Sequence, residues 1–199
     1  DNAFDDLVAG PPEPGSAYEY NDVRVNALAL AATHVFRREL PDVLRERIMD
    51  PVGASDGWAW HGYHNSYADI DGERLLSVSG GGHWGGGMFI DAFDMARLGL
   101  LDLNRGVWDG ERLLSEAFYA AALTPGEHNP GYGYMNFFLN APGTRFHSGT
   151  IPANAYFHLG AGTNVIFISP DHDLVAVVRW IDGAAMPEFF ERLIAAIES

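Results

Sequence analysis

The chain has 199 residues, 47% of them hydrophobic, enough for one compact domain with a core, which excludes a disordered chain. A formal net charge of -15 with no basic patch excludes nucleic acid and anionic membrane surfaces as partners, because like charges repel. Cysteine is absent, so disulfides, thiolate metal sites and a cysteine nucleophile are excluded together, and all twelve cationic side chains are arginine.

Any step that needs a lysine amine must therefore draw it from outside these residues. An acidic chain without lysine fits a salt-adapted or a GC-rich source, and the compartment stays open. The sequence has no signal-peptide pattern and no apolar run of membrane-spanning length. It starts with Asp1 rather than Met and is expected to begin inside a longer product.

Residues 1–15 are acidic and proline-rich and read as an extended lead-in. From Val23 the run VRVNALALAATHVFRREL has a helical period, with Asp22 as its predicted N-cap and Pro41 as its stop. PDVLRERIMD predicts a short second helix with Pro41 in its first turn, ending before Pro51. Between Val52 and Gly87 the chain is rich in Gly, Trp, His and Ser and reads as a long loop region. IDAFDMARLGLLDLNRG predicts an amphipathic helix capped by Asp91, with Gly106 past its end. A hairpin at WDGERLL and a helix at SEAFYAAAL follow.

After Asn129 the pattern changes to short β-rich runs, GYGYMNFFLN, TNVIFIS and LVAVVRW, the last two joined by the PDHD turn as an antiparallel hairpin. MPEFFERLIAAIES closes the chain as a helix able to cover one face of that sheet. Helices, then an antiparallel sheet, then a terminal helix predict an α+β layered fold over 1–199, mainly helix and loop over 1–125 and sheet with its helix over 126–199. Three strands are few for this length, so one or two partner strands are expected to be missing from it.

Several patterns carry less than they suggest. Gly80-x-Gly82-x-x-Gly85 has the form of a dinucleotide fingerprint, but the next helix starts near Asp91 and no βαβ unit follows, so it reads as a loop with close backbone approach. His61, His64 and His83 lie among glycines and asparagine rather than on a helical face, and no HExxH accompanies them, so they read as packing or hydrogen-bonding residues and no metal is expected. No GxSxG nucleophile elbow occurs. The aromatics Trp58, Trp60, Tyr63 and Trp84 either line a cleft or pack over the core.

Two short pieces remain, Tyr20-Asn21-Asp22 at a helix entrance and His158-Leu159-Gly160 at the end of the run AYFHLGAGTNVIFIS. Together with LRERIMDPVGAS, GGGMFIDAFDMARLGLLDLNRGVWDGERLLS and NPGYGYMNFF, they resemble the serine β-lactamase-like family of class C β-lactamases, DD-peptidases and related esterases, from Pro14 onward. That family builds its site from a Ser-x-x-Lys at a helix start, a Tyr-x-Asn-like loop motif and a Lys/His-x-Gly strand motif.

The resemblance implies that Tyr20 relays the proton to and from the serine. It places Asp22 where an amide usually contacts substrate, and a carboxylate there can only accept hydrogen bonds. It implies that His158 faces Tyr20, that Gly160 gives substrate clearance along the strand, and that the Ala161 N–H forms half of an oxyanion hole. The Ser-x-x-Lys would lie upstream of Tyr20, because this chain has no lysine.

The implied activity is a serine hydrolase acting through an acyl-enzyme on a small-molecule ester, β-lactam or peptide-like amide, without a cofactor. Histidine in place of lysine leans towards an esterase or peptidase. A non-catalytic binding or sensor homologue, or one half of a split enzyme completed by an N-terminal segment or chain, are the alternatives. The resemblance is also compatible with a periplasmic or secreted location.

Overall fold

Asn21 is extended (φ -140°, ψ 108°) and its side-chain oxygen accepts the Arg24 N–H at 3.1 Å, so Asn21 caps α1, Asp22–Phe36. The predicted cap, Asp22, is instead the first helical residue, where its negative charge favours the helix N-terminus. The computed structural model describes residues 13, 15–78, 87–141 and 146–198, so Gly80, Gly82, His83, Trp84 and Gly85 lie outside the described residues. The chain divides into two compact units, Asp1–Ile90 and Asp91–Ser199.

In the first unit, α1 stops at Phe36 rather than at Pro41, because Arg37 turns left-handed (φ 52°) and its N–H bonds the Thr33 carbonyl at 2.8 Å. An arginine in that conformation gives no glycine signal to read. Pro41 sits in the first turn of α2, Leu40–Leu44, and a wider π turn, Arg45–Met49, carries the chain to Asp50 just before Pro51.

The region expected to be loop contains strands β1, Ala59–Trp60; β2, Tyr67–Ile70; β3, Glu73–Leu76; and β4, Met88–Phe89. β1 pairs antiparallel with β4, and β2 with β3. Asp71 and Gly72 both have positive φ, 54° and 86°, the backbone of a tight hairpin turn with the right twist for its strands. Ala29, Leu40 and Val78 form a small core with Ala32, Trp60 and Leu76 packed against it.

In the second unit, Asp91 caps α3, Ala92–Leu103, by accepting the Asp94 N–H at 2.8 Å, as predicted. Gly106 (φ 79°) ends that turn, and a Cβ there would stand 2.6 Å from the Leu114 carbonyl oxygen. The expected hairpin pairs β5, Val107–Trp108, with β6, Glu111–Arg112. The expected helix α4, Glu116–Ala122, is capped by the Ser115 hydroxyl.

The main sheet adds β7, Phe137–Phe138; β8, Tyr156–Gly160; β9, Asn164–Ser169; and β10, Leu174–Val178, in the order β10-β9-β8-β7, all antiparallel. It has four strands where the sequence reads as three β-rich runs, because AYFHLGAGTNVIFIS supplies both β8 and β9, and GYGYMNFFLN contributes only Phe137–Phe138. The PDHD turn is a 3-10 segment, Pro170–His172, closed by left-handed Asp173.

Pleating gives the sheet two different faces. Phe157, Val165 and Phe167 meet Met186, Phe190 and Ile194 of α5, Met186–Glu198, in the main core. On the other face α3 comes so close that a Cβ at Gly99 would stand 2.5 Å from Val175 and 2.6 Å from Ile166. Ile166 pairs across the ladder with His158, so His158 points to the α3 side.

Candidate active site

Tyr20 and Asp22 lie at the entrance of α1 in the first unit, and His158, Gly160 and Ala161 lie at the end of β8 in the second. Tyr20 is 60% exposed. Its pKa is raised above the ordinary tyrosine value, first by partial burial of the hydroxyl and then by the Asp22 carboxylate, so it holds its proton at neutral pH.

β7 pairs with β8 only at Tyr156 and Phe157. From His158 to Gly160 β8 keeps β9 on one side, and among the described residues no strand pairs with its other edge. Gly160 has no positive φ, and a Cβ there would meet Asn164 atoms at an ordinary 3.6 Å, so the chain's own packing makes no demand for glycine. Ala161 begins the turn into β9, its carbonyl accepts from the Asn164 amide, and no described group accepts from its N–H.

The main finding at this edge was not expected from the sequence. His158 Nε2 lies 2.9 Å from Asp102 Oδ2, at the last turn of α3. The Tyr119 hydroxyl of α4 donates to Asp102 Oδ1 at 2.7 Å, and the Tyr156 hydroxyl of β8 donates to the Asp102 backbone carbonyl at 3.2 Å. Tyr119 and Tyr156 are buried, whereas the His158 and Asp102 side chains keep 35% and 20% exposure. The ring is thus held from the interior and still reachable from solvent.

Both buried tyrosines resist ionisation. Burial, then the Asp102 charge and its hydrogen bond, raises the Tyr119 pKa, and burial followed by the Asp102 charge raises that of Tyr156. An acid whose pKa is raised on folding contributes stability in full below its unfolded value, about 10, and loses it as pH climbs beyond that value. The contribution of these two tyrosines to stability in urea unfolding is therefore expected to be constant in pH up to about 10 and to fall above it. Tyr119→Phe should flatten that alkaline fall, and equal slopes in the two proteins would contradict the linkage.

Of the loop aromatics, Trp58 is buried beneath the Arg45 guanidinium, 4.5 Å from its ring centroid, and Trp60 packs on the small core. Tyr63 lines a depression of about 300 Å³ in the first unit with Asn26, Leu30 and Tyr67, which includes none of the predicted site residues. His61 packs edge-on to Phe89, ring centroids 5.6 Å apart. Among the described residues no helix is long and apolar enough to cross a membrane.

An antiparallel sheet with helices on its faces defines an α+β protein, the architecture of the β-lactamase-like class. The chain belongs to the beta-lactamase family, whose model matches residues 1–192.

Among solved structures it is similar to a "putative 6-aminohexanoate-dimer hydrolase" from Bacillus anthracis, at 19% identity and a TM-score of 0.67 over 94% of this chain. It is also similar to a beta-lactamase from Mycobacterium bovis, at 18% identity and a TM-score of 0.64 over 94% of this chain. The match spans 45% of the first of those proteins and 66% of the second. No curated protein matches the sequence.

Proposed function

We propose that the protein is a serine hydrolase that forms an acyl-enzyme on a neutral ester or amide. The observation that carries this reading is the Asp102–His158 pair beside the open edge of β8 and the Ala161 N–H. A substrate carbonyl laid along that edge would find a backbone donor in Ala161 for its developing oxyanion, with clearance over Gly160.

The pair also bears on substrate choice. With Asp102 ionised it has a net charge of zero when the imidazole is protonated and minus one when it is neutral. A lysine at the same place would carry a positive charge suited to a carboxylate on the substrate. The Asp102–His158 pair favours substrates that lack one, which supports an esterase or amidase over an enzyme for carboxylate-bearing β-lactams.

The nucleophile in this reading is the serine of a Ser-x-x-Lys supplied from outside these 199 residues, since the chain has no lysine. Tyr20 would pass the serine proton, and the ammonium of that lysine beside it would favour the phenolate and so oppose the rise that burial and Asp22 impose. Asp22, able only to accept, would orient neighbouring donors. Val23, Leu28, Leu30 and Val35 leave apolar surface exposed on α1, against which such a segment could pack.

The test is to incubate the intact gene product that carries these residues with a neutral p-nitrophenyl ester and with a penicillin, following turnover and the protein mass. The expected result is an acyl adduct on a serine and kcat/KM for the ester at least about tenfold above that for the penicillin. A penicillin preference would end the neutral-substrate reading. No adduct and no turnover with either compound would favour a binding protein of the same family.

A further inference from the structure

We propose that Asp102, held by Tyr119, is the positioning residue that fixes the tautomer of His158, so that Nε2 bears the proton and Nδ1 is the ring atom offered to substrate. The inference rests on the hydrolase reading for its role in a reaction, but its geometry stands independently of it.

An ionised carboxylate only accepts hydrogen bonds, so the 2.9 Å contact to Asp102 Oδ2 requires the proton on Nε2. Tyr119 removes the remaining freedom, because its hydroxyl donates to Oδ1 at 2.7 Å and keeps the carboxylate from turning away from the ring. The Tyr156 hydroxyl holds the Asp102 backbone at 3.2 Å, two residues before His158 on the same strand and on the same face. Helix α3, helix α4 and strand β8 therefore converge on one imidazole.

Among the described residues Nδ1 has no protein partner. In the neutral ring Nδ1 is an acceptor, whereas a lysine at this place would be a donor only. His158 so held can accept a proton or a hydrogen bond from a substrate hydroxyl, amide N–H or attacking water at the β8 edge. The charged groups acting on the cluster are Asp102 itself, Arg105 beside Tyr156 and Arg112 beside Tyr119. Arg112 is itself engaged with Glu116 at 2.9 Å and with the Arg105 and Leu114 carbonyls.

The experiment is nitrogen-15 NMR of the histidine rings in the intact gene product, at a pH where the ring is neutral, with His158 identified by its loss in His158→Gln. The wild-type ring should bear its proton on Nε2. In Asp102→Asn the Tyr119 hydroxyl keeps the amide oxygen, the amide NH₂ turns to the ring, and the proton moves to Nδ1. Ester kcat should fall about a hundredfold in that variant with KM changed less than about threefold.

Tyr119→Phe keeps the carboxylate but frees it to turn, so the ring proton should be shared between Nε2 and Nδ1, a shift that tests the inference even where Asp102→Asn does not fold and whose absence would remove Tyr119 from it. A wild-type proton on Nδ1, or an unmoved proton in a folded Asp102→Asn protein, would overturn the inference, since a merely structural Asp102 would alter stability without moving the tautomer. A moved tautomer with unchanged kcat would remove the role in the reaction and leave the hydrolase reading standing. If the wild type hydrolyses nothing, the hydrolase reading fails while the tautomer still reports on Asp102.

Discussion

Phe190→Ala is expected to lower the stability of the protein by about 3–5 kcal/mol, the range for deleting a fully buried phenylalanine. Phe190 is fully buried on α5, its ring stacks on Phe167 of β9 with centroids 4.2 Å apart and planes 12° apart, and Phe157 of β8 lies tilted at 6.4 Å. Removing it takes away the transfer free energy of the ring and leaves a cavity between a helix and a sheet that cannot both relax into it. The total stability of a domain is about 5–15 kcal/mol, so this one change removes a large part of it. Urea unfolding measures it as a lower midpoint at unchanged slope. A loss under about 1 kcal/mol would mean that α5 is not seated on the sheet as described.

The second large effect is on catalysis and rests on the proposed function. Tyr20→Phe in the intact gene product should reduce ester kcat/KM by about a hundred- to ten-thousandfold, the usual contribution of one positioned acid–base group. This corresponds to about 3–5 kcal/mol of transition-state stabilisation. Stability should hardly change, because the Tyr20 side chain is mostly exposed and the cap of α1 is made by Asn21. Acyl-enzyme formation, followed by the burst of released p-nitrophenol, is the step to watch. A change of less than about threefold would remove Tyr20 from the proton path, with the serine and Ala161 left to carry the reaction.

Much of the second unit is legible from local signals. Asp91, Ser115, the Asp109-Gly110 turn and the PDHD turn act within a few residues of where they stand, the first two opening helices and the last two joining strands. In the first unit the Asp71-Gly72 pair was an equally local signal, hidden by the glycine and histidine content around it. The end of α1 had none, since Arg37 adopts a left-handed cap that its side chain does not advertise.

Asp102 is the instructive case. It is 56 residues from His158 and 17 from Tyr119, and no periodicity reaches that far. One local clue exists: an acidic side chain in the last turn of a helix opposes the helix dipole, and a residue that breaks a local rule is often held for function.

By itself the sequence determined the net charge of -15, the absence of lysine, the α+β order of elements and the resemblance that the Tyr20 and His158 segments help to carry, because composition and short-range pattern are properties of the chain as written. Only the tertiary structure decided that no strand among the described residues pairs with one edge of β8 from His158 on, and that its histidine meets an aspartate that a tyrosine from another helix holds. Those contacts arise when pleating sends alternate side chains of β8 to opposite faces and the close approach at Gly99 brings α3 down on one of them.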